Sequence, residues 1–324
     1  MISCAIVGLG QWGRNLVGAA QRGGRLKVTH VVEPDVEGAR AFCAEHDLVH
    51  AASLDVVLAD PAIGAVLLAT PHSRHLEQVL ASATAGKQLF CEKPLALRRE
   101  HAERMFAACR KAGVVLAVGH NRRFWPALRA LRAMVAAGEL GTILHAEGHN
   151  SNENAKIITH GWRLSPEESP GGGLTGAGLH VLDAFVSLLG PASGVYARLN
   201  PREAGPPPLD SAMLAIDFAN GVTATFATVR TTPFYWRVHM FGSEGSAEVL
   251  DEGTLVRRRA GTTKPETLTY PRTDVLVEEL AAFADAVEGR RPYPVPEADV
   301  LATLTLFEAA LQSMKTGQPV ACGT

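Results

Sequence analysis

The sequence predicts an α/β protein in which an N-terminal, doubly wound parallel sheet precedes a second, α+β domain with a largely antiparallel open sheet. Short apolar runs alternate with helical patterns as far as residue 120, as βαβ units require. After the helical stretch Pro126–Ala137 the pattern changes to long segments of alternating polarity, which are typical of strands. The chain has 324 residues, 47% of them hydrophobic, and is long enough for two cores.

The first domain is predicted to span residues 1–122 and to begin with a strand, a glycine-rich turn and a helix. Ser3–Val7 is a short apolar run, and Leu16, Val17 and Ala20 then recur at helical spacing. Each later helix is expected to end at a glycine or a polar turn. The remaining strands are expected at Leu26–Val32, Ala65–Ala69, Leu89–Cys91 and Val114–Val118, and the helices at Glu37–Glu45, Ser73–Ala85 and Leu97–Ala112.

The second domain is predicted to span residues 123–324. Asn220-Gly221, between two alternating segments, indicates a hairpin turn. The helices Val275–Glu288 and Glu297–Thr316 are expected to return and brace the domain junction. Arg257–Arg259 is interpreted as a solvated strand edge, and residues 205–208 as a loop. The strands are expected at Ile143–Ser151, Val195–Asn200, Ala212–Phe218, Val222–Arg230, Trp236–Phe241 and Ala247–Leu250, and a helix at Leu179–Leu189.

Composition argues against several classes of partner. The net charge is −2 and no dense block of Lys and Arg occurs, so neither nucleic acid nor an anionic membrane is expected as a main partner. The N-terminus enters the first strand without a signal segment, and no apolar stretch is long enough to span a bilayer, so we expect a cytoplasmic protein. The five cysteines show neither metal-ligand spacing nor an even disulfide set. His72 and His75 lack flanking cysteines or an acid cluster, so no metal site is expected.

The turn before the first helix has the spacing of a dinucleotide-binding fingerprint. In Gly8-Leu9-Gly10-Gln11-Trp12-Gly13, the first glycine permits a tight turn, the second allows backbone to approach a pyrophosphate, and the third allows close helix–strand packing. Free N–H groups and the dipole at the start of the helix favour phosphates. We therefore expect Gly8, Gly10, Gln11, Trp12 and Gly13 to bind a dinucleotide cofactor.

An acidic residue ends the second strand. Glu33 lies twenty residues past Gly13, where a carboxylate can accept hydrogen bonds from the adenosine ribose hydroxyls. Because a carboxylate would repel a ribose phosphate, NAD is favoured over NADP. Arg40 and the turn Pro34-Asp35 leave NADP open as the alternative.

Polar residues follow the fourth, fifth and sixth predicted strands. Ligands of open parallel sheets bind beyond the carboxyl ends of the strands. Thr70-Pro71-His72 is therefore expected to contact the ribose or the pyrophosphate, with a simple strand-to-helix turn as the alternative. Glu92 and Lys93 are expected in the same crevice beside the nicotinamide, where the alternative for Lys93 is a solvated loop lysine. Asn121 could reach the nicotinamide amide.

Further motifs occur at characteristic distances from the glycine fingerprint. They are Ala69-Thr70-Pro71 with His75, Glu92-Lys93-Pro94, Arg123-Phe124, Trp162-Arg163, and Gly171-Gly172 running to Gly178-Leu179-His180. In order and spacing they resemble the Gfo/Idh/MocA oxidoreductase family throughout the chain. The resemblance implies a Rossmann domain and a C-terminal open-sheet domain through which homodimers or homotetramers form. It also implies NAD(P)-dependent oxidation or reduction of a secondary hydroxyl in a sugar, cyclitol or related polyol.

Oxidation of a secondary alcohol needs a group that takes the hydroxyl proton. The resemblance implies Lys93 as this catalytic residue and His180 as its partner, and it suggests a cis bond between Lys93 and Pro94. His75 resembles a family position near the cofactor, and a surface helix histidine is the alternative.

The chain departs from the family pattern four residues before His180, where relatives commonly carry an aspartate and this chain has Gly176. Asp183 could bind substrate instead, or it could be a structural acid. Thr175 or a residue of the loop Asn150–His160 could also replace the missing group.

Three more residues are candidates for substrate binding. Arg123 could reach the substrate, although a buried structural ion pair is the favoured interpretation. Trp162 and Arg163 combine an aromatic ring with a guanidinium, which suits a polyol. Packing of a lid without substrate contact is their alternative.

The glycine at position 176 keeps two other functions open. One is a cofactor-binding regulatory or assembly protein without turnover. The other is a redox-neutral enzyme that processes a glycoside through transient oxidation.

Overall fold

The computed structural model describes residues 1–153, 156, 161–203 and 208–323. Contacts divide the chain into two units: Met1–Asn121 with Asp274–Glu297, and Arg122–Thr273 with Ala298–Thr324. The first break lies next to the predicted boundary at residue 122. The sequence boundary, however, assigned residues 274–297 to the second domain, whereas their contacts place them in the first unit.

The first unit contains a doubly wound parallel sheet. Among the described residues, its six strands are ordered β3-β2-β1-β4-β5-β6, which is the Rossmann order. Strand pairs such as β1 with β2 and β4 with β5 are parallel. The strands are β1 (Ile2–Val7), β2 (Leu26–Val32), β3 (Val49–Ala51), β4 (Ala65–Leu68), β5 (Gln88–Glu92) and β6 (Leu116–Gly119). The helices between them are α1 (Gln11–Gly23), α2 (Val36–Glu45), α3 (Leu54–Ala59), α4 (His75–Thr84) and α5 (Arg99–Ala112).

The second unit is built on a mixed, mostly antiparallel sheet. Within the described part of the chain, nine strands are ordered β14-β13-β12-β11-β7-β10-β9-β8-β15, and β7 and β10 form a parallel pair. Both predicted fold classes are therefore confirmed. The strands are β7 (Ile143–Asn152), β8 (Ala192–Glu203), β9 (Leu209–Phe218), β10 (Thr223–Arg230), β11 (Tyr235–Gly242), β12 (Gly245–Val249), β13 (Thr254–Arg259), β14 (Glu266–Thr269) and β15 (Val320–Ala321). Two helices of this unit are α6 (Pro126–Ala136) and α7 (Leu179–Leu189).

The last two helices, α8 (Val275–Val287) and α9 (Glu297–Thr316), pack in different units. Leu280, Phe283 and Ala284 of α8 belong to the same buried core as β1 and α1. The Phe283 ring meets the Phe90 ring of β5 edge-on at 6.0 Å. In the second unit, Ser313 of α9 accepts a hydrogen bond from the backbone N–H of Ala197 at 2.8 Å. Apolar burial on the Rossmann sheet therefore explains why α8 belongs to the first unit.

Of two sequence predictions about the second sheet, one is confirmed and one is wrong. The hairpin at Asn220-Gly221 is confirmed: it joins antiparallel β9 and β10, and Gly221 has φ +85°. Arg257–Arg259 does lie on a strand, but β13 sits between β12 and β14 and is not an edge. Arg257 is largely covered and pairs with both Glu139 and Glu266, so charge pairing allows arginine inside the sheet. Residues 205–207 of the expected loop lie outside the described residues.

A glycine in β7 allows α7 to approach the second sheet closely. A Cβ at Gly148 would lie 2.5 Å from Val181 Cγ1 and 2.8 Å from Phe185 Cζ, both on α7. Side chains of a strand alternate between faces, so Gly148 defines the face of β7 that is covered by α7. No helix in the described ranges is both long and apolar enough to cross a membrane.

We expect Gly148→Ala to lower the free energy of unfolding by about 1–3 kcal/mol, because the added methyl group would force α7 away from the sheet. Gly194→Ala on β8 is the matched control, since its Cβ would meet no atom closer than 3.6 Å. Urea unfolding followed by circular dichroism measures both variants. Equal stability of the two would contradict the packing described here.

Candidate active site

The glycine turn of the first unit leaves an open cradle at the start of α1. Gly8 has φ +90°, and a Cβ there would lie 2.7 Å from the Ala69 carbonyl oxygen. A Cβ at Gly13 would lie 2.0 Å from the Gly8 carbonyl oxygen, so only glycine lets the helix start so close to the strand. A Cβ at Gly10 would meet nothing within 4 Å, and this side of the turn is free for a phosphate.

Glu33 is held against this turn by backbone donors. Its carboxylate accepts hydrogen bonds from the N–H of Leu9 at 2.7 Å and of Asp35 at 3.1 Å. Each carboxylate oxygen keeps a lone pair for a ribose hydroxyl. Arg40 pairs with Glu37 at 2.6 Å on the surface.

Arg14, which the sequence did not single out, supports the same turn. Its Nε donates to the Leu9 carbonyl at 3.1 Å, and its Nη2 donates to the Gly38 carbonyl at 3.0 Å. The guanidinium also lies 4.7 Å from the centre of the Phe42 ring. Helical spacing could not reveal this role, because the two carbonyls belong to separate segments, the glycine turn and the first turn of α2.

Lys93 directly follows β5 and is half-buried. Its backbone N–H donates to Glu92 Oε2 at 3.3 Å, and Glu92 is only 8% exposed. Gly119 of β6 pairs with Glu92, and a Cβ there would lie 3.1 Å from the carboxylate, so glycine makes room for it. The Lys93–Pro94 bond is cis, as the resemblance suggested.

His75 is completely buried at the start of α4, so it is not a surface helix histidine. Its Nδ1 lies 3.1 Å from the Pro94 carbonyl oxygen and 3.2 Å from that of Leu95. Its Nε2 lies 3.1 Å from the Thr70 carbonyl oxygen. The ring therefore bridges the end of β4 and the loop that follows Lys93. The Thr70 hydroxyl donates to Gln78 Oε1 at 2.6 Å.

In the second unit, Arg123 forms a buried ion pair. Its Nε and Nη2 donate to the two carboxylate oxygens of Asp183 at 2.8 and 2.7 Å, and its Nη1 donates to Asp299 at 2.6 Å. Burial alone would lower the pKa of Arg123, but the Asp183 and Asp299 carboxylates raise it above its ordinary value. The geometry supports the ion-pair interpretation of Arg123. It argues against Asp183 as a substrate ligand, because both Asp183 oxygens bind Arg123.

His180 lies in the first turn of α7, after a π-helical turn at Leu174–Gly178. His180 is 6% exposed. Thr175 is fully buried and donates its hydroxyl hydrogen to the Pro170 carbonyl, so it does not replace the missing acid. A Cβ at Gly176 would meet nothing within 4 Å.

The other candidates of the second unit are partly defined. Trp162 and Arg163 lie in a short 3₁₀ turn, with the guanidinium 4.3 Å from the indole centre. Asn150 belongs to β7, while residues 154–155 and 157–160 of the expected loop lie outside the described residues. The described ranges contain no cluster of three or more metal-ligating side chains.

Two family models match the chain in succession. One, described as an oxidoreductase family with an NAD-binding Rossmann fold, matches residues 2–120, and the other, a GFO/IDH/MocA C-terminal domain, matches residues 128–248. With the glycine cradle and Glu33, the first match defines an NAD(P)-dependent oxidoreductase. The two matches together show that the chain belongs to the Gfo/Idh/MocA family.

Similar proteins span the full length of the chain. A 1,5-anhydro-D-fructose reductase of Ensifer adhaerens is 29% identical over 327 residues, which cover 97% of this chain and 96% of the relative. A scyllo-inositol 2-dehydrogenase (NAD(+)) of Bacillus subtilis (strain 168) is 28% identical over 347 residues, with coverage of 98% and 96%. The structure of a levoglucosan dehydrogenase with NADH and levoglucosan has a TM-score of 0.90 at 22% identity and covers 100% of both chains. At that identity the structural likeness concerns the fold.

We expect Asp183→Asn to lower the free energy of unfolding by about 3–5 kcal/mol, because it leaves the buried Arg123 charge with one carboxylate. Asp299→Asn is the matched control and should cost less, since the Asp299 side chain is 23% exposed and makes one contact to Arg123. Urea unfolding of both variants tests this order. A larger loss for Asp299→Asn would contradict it.

Proposed function

We propose that this protein is an NAD-dependent dehydrogenase that oxidises a secondary hydroxyl of a sugar, cyclitol or related polyol. The observation that carries the proposal is Lys93, half-buried at the carboxyl end of β5 in the unit that holds the glycine cradle and Glu33. Ligands of doubly wound sheets bind at this end. The names of two similar proteins, an anhydrofructose reductase and a scyllo-inositol dehydrogenase, favour polyol substrates.

The bound cofactor supplies the hydride acceptor, and the chain supplies the proton chemistry. Lys93 Nζ takes the proton from the substrate hydroxyl, and His180 is the second group that handles it. The family resemblance supports both roles, since both residues stand at its motif positions. Trp162 and Arg163 remain candidates for contacts to further hydroxyls.

His75 acts as a positioning residue in this scheme. It contacts carbonyls on both sides of the crevice, at Thr70 and at Pro94 and Leu95. Because its ring is fully buried, these contacts restrict the loop that displays Lys93. Such a residue acts through Lys93, without touching the substrate.

The cofactor is proposed to be NAD. Glu33 presents its carboxylate beside the glycine turn, where it accepts hydrogen bonds from the ribose hydroxyls and repels a ribose phosphate. Arg40 pairs with Glu37, so its charge is already matched. Gly8, Gly10, Gln11, Trp12 and Gly13 would hold the pyrophosphate, while Thr70-Pro71-His72, Glu92 and Asn121 would contact the rest of the cofactor.

A homodimer or homotetramer through the second sheet also stays a prediction. Met213 and Tyr235 lie on the sheet face opposite Gly148 and are 50% and 47% exposed. Apolar groups on an uncovered sheet face are compatible with a subunit interface.

We expect Lys93→Met to reduce the rate of NADH formation by about 10²–10⁴-fold, because the variant loses the proton acceptor and keeps a similar length. Lys111→Met, which changes an exposed lysine of α5, is the matched control and should retain the wild-type rate. The measurement is absorbance at the reduced-nicotinamide band with a panel of polyols, together with NAD binding by calorimetry. A Lys93→Met rate equal to that of Lys111→Met would refute the assignment.

Two outcomes of the same assay would favour the other functions. NAD binding without turnover of any polyol, by the wild type or either variant, would favour a regulatory or assembly protein. Product formation without net NADH would favour redox-neutral processing of a glycoside.

We expect Glu33→Gln to weaken NAD binding by about tenfold or more and to narrow the preference for NAD over NADP, because a charged acceptor is lost. Glu45→Gln is the matched control, since it changes an exposed acid at the end of α2 and leaves the Arg40–Glu37 pair intact. Calorimetric titration with both cofactors measures the effect. Wild-type protein that binds NADP as tightly as NAD would overturn the choice of cofactor.

A further inference from the structure

Two neighbouring arginines in the second unit have opposite surroundings. Arg123 is bound by two carboxylates, whereas Arg122 forms no ion pair with any residue that the structure describes. The Arg122 guanidinium instead stacks on two indoles, with its Cζ 4.9 Å from the Trp125 ring and 5.2 Å from the Trp236 ring. Its Nη1 is buried without a hydrogen-bond partner in the described ranges. The residue as a whole is only partly buried.

Within the described part of the chain, the charge of Arg122 lacks compensation. Burial lowers the pKa of Arg122 to about 9, and no carboxylate of the described residues offsets that effect. The guanidinium still carries its proton at neutral pH. A desolvated charge of this kind is costly unless an opposite charge meets it, and cation–π contacts return only part of that cost. An anion would supply the missing charge.

Three polar groups without partners in the described ranges lie in one row, which includes one of the two indoles under this guanidinium. In the sheet, Asn150 of β7 pairs with Trp236 of β11 on one side and with Thr228 of β10 on the other. The three residues are 1%, 0% and 1% exposed. Asn150 Oδ1, Trp236 Nε1 and Thr228 Oγ1 are all buried and lack partners among the residues described. Native proteins rarely leave buried polar groups unpaired, so a cluster of them points to a ligand.

The row belongs to the same face as the segment that leads to His180. Asn150 is two residues beyond Gly148 on β7 and therefore points to the face covered by α7. A Cβ at Gly173 would lie 2.7 Å from Thr228 Oγ1, so the glycine-rich segment passes directly over the row. Asp210, the acid next to Gly172, is already paired with Arg230.

We infer that Arg122, Trp236, Asn150 and Thr228 bind the carboxylate end of a hydroxy acid, so that the polyol substrate is a sugar acid. Arg122 and Trp236 Nε1 donate hydrogen bonds to the carboxylate oxygens. Asn150 Oδ1 accepts a hydrogen bond from the hydroxyl beside the carboxylate, and Thr228 can serve either group. The inference rests on the proposed function, because it names the substrate class of that dehydrogenase.

The charge count favours a carboxylate over a phosphate. A single guanidinium matches one negative charge, while a phosphate dianion would leave one charge unmatched in a largely buried site. A neutral polyol would leave the Arg122 charge unmatched altogether. The site should therefore bind an acid more tightly than the neutral polyol that differs from it only in the oxidation state of one terminal carbon.

The test uses full-length protein saturated with NAD and two matched pairs of probes. D-gluconate is compared with D-glucitol, and D-galactonate with galactitol, by calorimetric titration. We expect each acid to bind with a Kd lower than that of its neutral partner by about tenfold or more, since a charge-assisted hydrogen bond contributes that much. Equal affinities within each pair, or tighter binding of glucitol 6-phosphate than of gluconate, would overturn the inference.

Variants separate a ligand site from a structural stack. Arg122→Met keeps an unbranched stem between the indoles and should remove the preference for the acids. Asn150→Asp keeps the size of the side chain and places a carboxylate in the row. It should therefore weaken gluconate binding by about tenfold or more. This variant tests the site even if Arg122→Met fails to fold. Arg129→Met is the matched control, because Arg129 also stacks on an aromatic ring, 5.0 Å from the Phe124 centre, but is exposed. It should keep the preference.

If Arg122 were only part of a structural cation–π stack, the wild type would show no preference for the acids. Alternatively, both Arg122→Met and Asn150→Asp would keep the wild-type preference. Either result would refute the ligand site. NADH formation from neutral polyols without any acid preference would refute this inference and retain the proposed function. Acid preference without NADH formation would refute the proposed function and retain this inference.

Discussion

The second unit depends on the ion pair between Arg123 and Asp183. A bidentate contact between side chains that are each 3% exposed joins the turn at Asn121–Phe124 to α7, and Asp299 adds α9 through the same guanidinium. Removing one partner would leave a buried charge unmatched, which is far more costly than losing a surface pair. The contact fixes α7 three residues after His180. It therefore controls the position of a proposed catalytic group without supplying chemistry.

In the first unit, contacts to backbone carbonyls fix the position of a proposed catalytic group. His75 connects the end of β4, at Thr70, to the loop after Lys93, at Pro94. The glycine turn and Glu33 form a second set of backbone contacts at the neighbouring strands. In both places a buried side chain or a missing Cβ fixes the backbone, and the backbone then presents the functional groups. Rigid presentation of this kind is what proton transfer and cofactor binding require.

Arg122 and Arg123 show how adjacent residues of one type take unrelated roles. The carboxylates of Asp183 and Asp299 neutralise Arg123, while Arg122 keeps its charge between two indoles. The acid missing at Gly176 is consistent with this difference, because a substrate that carries its own carboxylate would be repelled by a further acid. In the proposed site, a few side chains on the covered face of the second sheet select the class of substrate.

The amino-acid sequence by itself determined the fold class, and it located the glycine fingerprint and placed Glu33 and Lys93 directly after strands. These features depend on local spacing. The sequence also indicated the hairpin at Asn220-Gly221, where two residues specify the turn. Only the tertiary structure assigned α8 to the first unit, since burial against α1 and β5 is a contact between distant segments. It likewise paired Arg123 with Asp183 and Asp299, and aligned Asn150, Thr228 and Trp236 in one row. Strand order and register bring such residues together, and no local pattern encodes them.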